Sequence, residues 1–261
     1  MPVTYSSYLK LDELLSLQQP VSDGPEHDEM LFIVVHQVYE LWFKCLLHEF
    51  DRLLELLRSS ETSRAQHALK RILTVLKVLV QQIDILETMT PLEFLSFRNR
   101  LESGSGFQSR QFRELEFILG VKQRSAVDRY PPGGEDRRAL EARFGQATIW
   151  DSFLYYLSRS GYQVPRALLE RDVTQRVSPS PELQAILIRI YREKNSTIAE
   201  LCERLVDLDE GFMEWRYRHV RMVQRTIGTK RGTGGSSGAE YLATTLDQPA
   251  FPDLWAIRTE L

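Results

Sequence analysis

Apolar positions recur along most of this chain at alternating steps of three and four, a spacing that collects them on one face of an α-helix. One such seam runs through Phe32, His36, Tyr39, Phe43, Leu46, Phe50, Leu53 and Leu57. It predicts a long first helix opening near His27-Asp28, with Asp28 as its cap and Glu29 in its first turn. A second seam, Leu69, Ile72, Leu73, Leu76, Leu79, Val80, Ile83 and Leu86, predicts a helix over 63–89. Thr90-Pro91 then restarts the chain, because proline is accommodated in a first turn but not in a helix interior. The helix opened there presents Phe94, Phe97, Arg98 and Leu101 before Ser103-Gly104-Ser105-Gly106 breaks it. Residues 107–119 predict a helix closed by Gly120, and 147–162 an aromatic-rich one holding Trp150, Phe153, Tyr155 and Tyr156. Between them, 122–138 reads as a polar exposed loop around Pro131-Pro132-Gly133-Gly134. Pro165, Pro179 and Pro181 bracket a less regular connection. From Glu182 the pattern stays helical to Ile227, a span that would reach roughly 70 Å unbroken. That length predicts an interruption near Asn195-Ser196, or else a spine through a larger assembly. Period-two runs and internal repeats are absent, so the expectation is one all-α domain over 1–261, preceded within it by an N-terminal arm, 1–20.

The last seam carries the first sign of chemistry. It reads Ile198, Leu201, Leu205, Leu208, Phe212, Trp215, His219, Met222 and Thr226, and only His219 and the closing Thr226 are not apolar. His36 takes the same kind of position on the first long helix, whereas His27 lies at a helix start and His48 and His67 fall off the seams. An inward histidine is either a satisfied core residue or a ligand. Two of them on different long helices admit a second reading, a planar metal cofactor held between helices with imidazole on one or both faces. Arg98 borders an apolar face, where a guanidinium needs an anionic partner to offset its desolvation. An ordinary glutamate pair and an anionic ligand both meet that need. After Gly228, with Arg221, Arg225, Lys230 and Arg231 around the negative helix end, residues 232–238 hold four glycines in seven positions. Such a run lets backbone amides turn toward a polar or charged group. Tyr5 and Tyr8 lie three residues apart on one side of the arm, and read from the residues alone they are surface packing.

Composition narrows the field. The 261 residues carry a net charge of −3, so no basic excess points to nucleic acid as a partner. Cys45 and Cys202 sit inside helical patterns without a CxxC, which argues against a disulfide framework, a zinc site and covalently attached c-type haem. The start, MPVTYSSYLKLDELL, lacks the basic and apolar regions of a signal peptide. Uninterrupted apolar runs such as Leu31–Val35 are too short to span a bilayer, so no membrane association and a cytoplasmic location are expected. The glycine run is neither a P-loop nor G-x-G-x-x-G, since it follows a helix and position 237 is serine, and no H-E-x-x-H is present.

Five segments, HDEMLFIVVHQVYELWFK (27–44), TPLEFLSFR (90–98), SGFQSRQFRELEFILG (105–120), RHVRMVQRTIGTKRGTGGSSG (218–238) and FPDLWAIRT (251–259), together resemble the tryptophan 2,3-dioxygenase family. The resemblance extends from Tyr5 to Thr259. It implies an all-helical bundle enclosing one non-covalent haem b, ferrous when active, and assembled as a homotetramer. It implies cleavage of the indole C2–C3 bond of L-tryptophan by O2. By motif, His219 matches the proximal iron ligand and His36 the distal histidine that faces substrate without binding iron. Arg98 matches the arginine that pairs with the substrate carboxylate, and Thr233 the residue that meets its amino-acid group. Phe32, Leu101 and Ser105 match pocket-lining positions, and Tyr5 and Tyr8 the tyrosines that reach into a neighbouring subunit's pocket. At a pocket position that varies between tyrosine and phenylalanine this chain has Phe94, so a hydroxyl that would assist Arg98 is missing. Superfamily relatives that insert a single oxygen into substituted indoles or tyrosines remain an alternative, as does a haem-binding sensor without turnover. Arg98 and the Thr233 run speak against the sensor, because haem retention alone does not require them.

Overall fold

The computed structural model describes residues 2–24, 26–102, 104, 106–193, 196–230, 246 and 248–261. The arm folds into two short helices, α1 (Tyr5–Leu9) and α2 (Leu11–Leu14), and neither buries a residue. Thr4 and Ser7 cap α1 reciprocally, and Lys10 turns the chain into α2 with a φ of 55°. Among the described residues, the arm's hydrogen bonds to the body lie near its far end. Gln18 Nε2 donates to Gln37 Oε1 at 2.5 Å, and the buried Glu29 accepts from the Val21 and Ser22 backbone N–H groups.

Two long helices, α3 (His27–Arg58) and α4 (Thr62–Leu86), then pair through a short turn. Leu46, Phe50, Leu53 and Leu57 of α3 and Leu69, Ile72, Leu79 and Ile83 of α4 are buried, as the periodicity requires. Two buried hydrogen bonds lock their register: Tyr39 Oη donates to the Leu79 carbonyl at 2.7 Å, and Gln82 Nε2 to the Val35 carbonyl at 3.0 Å. Asp28 is not the cap of α3. Glu26 holds that position without a side-chain hydrogen bond, and Asp28 lies in the first turn, where an acidic group suits the positive helix end. By length and apolarity alone α3 also qualifies as a membrane span, with a mean hydropathy of 1.4 over an 18-residue stretch, although its uninterrupted apolar runs are short. In this fold its buried face packs on α4 instead.

Helix α5 (Pro91–Arg98) starts where Thr90-Pro91 predicts, with Thr90 and Glu93 forming a capping box. A 3-10 turn, Asn99–Leu101, extends it. The helix expected from residue 107 begins later, as α6 (Arg110–Ile118) capped by Ser109, after the 3-10 turn Gly106–Gln108. Gly120 follows with a φ of 90°, a conformation that favours glycine.

The predicted exposed loop at 122–138 is corrected by the structure. It contains α7 (Arg124–Asp128) and the start of α8 (Glu135–Phe144). Ala126, Val127 and Tyr130 are buried there against Phe117 and Leu140 in a second small core. Lys122 is buried as well. Its Nζ donates to the Phe144 and Gln146 carbonyls at 2.6 and 2.9 Å, and burial pushes its pKa down to about 8.

The remaining elements are α9 (Ile149–Arg159), α10 (Arg166–Leu169), α11 (Pro181–Arg192), α12 (Thr197–Ile227) and α13 (Pro252–Ala256). The interruption between α11 and α12 falls where it was expected, and Ser196 caps the second piece. α12 packs along α4 and closes at Gly228, whose φ is 61°. Cys45 and Cys202 are free thiols. All regular structure among the described residues is helical.

Candidate functional site

The two inward histidines come from helices at opposite ends of the chain, and packing of α3, α5, α6 and α12 brings their surroundings together. His36 sits one turn after Phe32 on α3, with ring centroids 4.0 Å apart. Its Nδ1 lies 2.7 Å from the Phe32 carbonyl oxygen. A carbonyl only accepts, so Nδ1 carries the proton and Nε2 is left as an acceptor. Phe32 packs on Phe94 at 5.8 Å and Phe97 at 5.5 Å, both on α5. Arg98, the last residue of α5, and Leu101 in the turn after it are both half-buried beside that aromatic group. A short helix with a strong start and an early stop therefore delivers one guanidinium to the edge of an apolar wall.

His219 belongs to a second aromatic wall. Its ring stacks on Trp215, one turn earlier in α12, at 5.1 Å and 9°. Trp215 meets Phe112 of α6 at 4.9 Å and Phe212 at 6.4 Å. Tyr39 and Phe43 of α3 close the same cluster edge-on. Trp215 and Phe112 were not singled out from the sequence as site residues. Spacing marked Trp215 only as a core position, and Phe112 gave no signal of its own.

Burial, then the charges of His36 and Arg113, lower the His219 pKa to about 4. Burial lowers that of His36 also, against the opposing Phe32 carbonyl and Glu40. Both imidazoles are thus neutral near pH 7, and they are near enough to influence one another. Both residues are half-buried, with protein packed closely around them.

Among the described residues no hydrogen bond reaches either ring nitrogen of His219, and no cluster of three or more metal-ligating side chains occurs. What the chain offers here is one neutral imidazole, which could supply one bond to a metal that brings its remaining ligands with it. The other expected positions divide. Tyr5 and Tyr8 are 77% and 76% exposed in the single chain. Ser105 and Thr233 lie outside the described residues.

Fold and site together define a protein that is all-α over its described residues, with two neutral imidazoles set among aromatic rings. A family model described as tryptophan 2,3-dioxygenase matches residues 1–134 and 160–261. The chain is 60% identical over 259 residues to the tryptophan 2,3-dioxygenase of Herpetosiphon aurantiacus, covering 99% of this chain and 98% of that one. It is 54% identical to the enzyme of Anaeromyxobacter sp. strain K, over 99% and 96% of the two chains. With that of Arthrobacter sp. strain FB24 the identity is 46%, over 99% and 92%. The chain belongs to the tryptophan 2,3-dioxygenase family.

Proposed function

We propose that this protein cleaves the indole C2–C3 bond of L-tryptophan with O2 to give N-formylkynurenine, using a haem b held by His219. The observation that carries the proposal is the pair of neutral imidazoles, one with its Nδ1 committed to a carbonyl and the other with no hydrogen bond from the described residues. That donor chemistry fits a haem. His219, a neutral, desolvated imidazole stacked on Trp215, would hold the iron, and the aromatic rings around it would suit a flat macrocycle. When bound, the ferrous haem supplies the site at which O2 is activated.

The chain's own residues do the rest. His36 Nε2 accepts from the indole N–H, since Nδ1 already donates to Phe32. Phe32, Phe94 and Leu101 wall the indole and exclude water, and the Arg98 guanidinium pairs with the carboxylate. Ser105 lines the pocket, and Thr233 meets the amino-acid group. Each carbon of the cleaved bond receives one oxygen atom, so no external electron donor is consumed.

The assembly in this reading is a cytoplasmic homotetramer in which Tyr5 and Tyr8 enter a neighbour's pocket. An arm that buries none of its residues supports this. So do the apolar side chains Met30, Val34 and Leu41 on the outer face of α3 and Val78 and Ile85 on α4, all exposed in the single chain.

Anaerobic loading with haem, ascorbate and L-tryptophan, followed by O2 and mass spectrometry, tests the reaction. A product heavier by two oxygen atoms is expected. One added oxygen indicates a mono-oxygenase, and no product a sensor or store.

A further inference from the structure

Beside the aromatic wall of His219 lies a buried charge cluster that the proposed reaction does not use. Arg113 and Glu116 on α6 and Arg216 on α12 are 8%, 8% and 5% exposed. Glu116 accepts from both arginines, through Oε2 from Arg113 Nη1 and through Oε1 from Arg216 Nη2 at 3.0 Å. Each guanidinium also lies over a ring of the wall, Arg113 5.3 Å from Phe112 and Arg216 4.5 Å from Phe212. Phe112 packs on Trp215, and Trp215 on His219, so two ring contacts separate Arg113 from the imidazole. The Arg113 charge is felt at that imidazole. Arg216, one turn before His219 on α12, also acts on the buried carboxylate of Asp209. A buried ion cluster is weak evidence for stability, because apolar residues of the same shape serve as well. Its position next to the candidate ligand gives it a different use.

We infer that Arg113, held by Glu116, is a positioning residue that sets the charge environment of the iron bound at His219 and favours its ferrous over its ferric form. The inference rests on the reading that His219 holds haem iron. Oxidation adds a positive charge at the metal, and a fixed guanidinium nearby opposes that change. Arg216 occupies the second oxygen of Glu116, which leaves the carboxylate bridging the two cations and Arg113 fixed against Phe112. In general, two unit charges separated by about 10 Å at an effective dielectric of about 20 would shift such an equilibrium on the order of tenfold.

The test is a spectroelectrochemical titration of the haem-loaded full-length protein as parent, Arg113→Met, Arg113→Lys and Glu116→Gln. A histidine-ligated five-coordinate spectrum in the parent, lost in His219→Ala, establishes the ligand independently of any potential. Its absence overturns the reading of His219 and this inference together. With that spectrum in place, Arg113→Met is expected to lower the ferrous-to-ferric ratio at fixed ambient potential about tenfold, or ~59 mV for a one-electron couple. Arg113→Lys keeps the charge and stays within about threefold of the parent. Glu116→Gln removes a negative charge and moves the ratio the other way. A role in packing alone loosens the same wall in both charge-removing variants and moves them together. An unmoved ratio in Arg113→Met, or shifts of the same sign in Arg113→Met and Glu116→Gln, overturns the inference while leaving the haem ligand intact. Should Arg113→Met fail to fold, a fall or no change in Glu116→Gln overturns it alone.

Discussion

Burial keeps both inward histidines neutral, yet what their nitrogens meet separates them. His36 has one nitrogen tied to Phe32, whereas no described residue competes for those of His219. His219→Ala should therefore give a helical protein with little haem, recoverable in part by added imidazole. Full haem content with an unchanged Soret band would remove His219 from that role. His36→Ala should keep its haem and lose part of its turnover. Burial lowers the His36 pKa below the ordinary imidazole value of 6.5, so the midpoint of its proton uptake lies beneath that point. The fall in turnover with falling pH should accordingly be centred below 6.5, and a decline centred at or above 6.5 contradicts the assignment. Arg98 carries the third prediction. A charge-assisted pair contributes about 1.5–3 kcal/mol, on the order of ten- to a hundredfold in affinity. Arg98→Leu should weaken L-tryptophan by that factor and hardly affect indole, which has no carboxylate. Equal losses for both ligands would make Arg98 structural.

At the scale of elements, periodicity was a good guide wherever a helix was long enough to repeat it. The seams of α3, α4 and α12 placed His36 and His219 on inward faces, and the Thr90-Pro91 signal placed the helix that delivers Arg98. Short elements were illegible for a physical reason. α7 has five residues, too few to show a period, and Ala126, Val127 and Tyr130 are buried only because Phe117 and Leu140 arrive from elsewhere in the chain. The charge cluster was hidden too, since Arg113, Glu116 and Arg216 look like any solvated helix positions until their partners are known. Asp209 is a similar case. It is 2% exposed and accepts from the Ala250 and Phe251 backbone N–H groups and from Trp255 Nε1, all at 2.9–3.0 Å. That carboxylate fastens the C-terminal helix to α12. Asp209→Ala strands three donors and should cost roughly 2–5 kcal/mol in urea unfolding. A loss below about 1 kcal/mol would show that Phe251, Leu254 and Ile257 hold the segment by apolar contact alone.

The whole molecule is where a single chain says least, because what covers an exposed face is another copy. Tyr5 and Tyr8 illustrate this: read alone they are surface residues, and in the single chain they are exposed. An arm that buries nothing frays unless it docks. If it docks on a neighbour, a subunit lacking Arg98 and one lacking both tyrosines should each be nearly inactive, and co-refolding them as mixed oligomers should restore activity. Mixing without unfolding should not. Mixed oligomers as inactive as their parents would mean that the arm serves its own subunit. Beneath all of this stands the claim that one of the two imidazoles ligates haem iron and the other does not. The most direct measurement is the absorption spectrum of the ferrous, haem-loaded protein without substrate. A five-coordinate, histidine-ligated spectrum that disappears in His219→Ala and persists in His36→Ala is the predicted result. A six-coordinate bis-histidine spectrum, or one indifferent to His219, would contradict it.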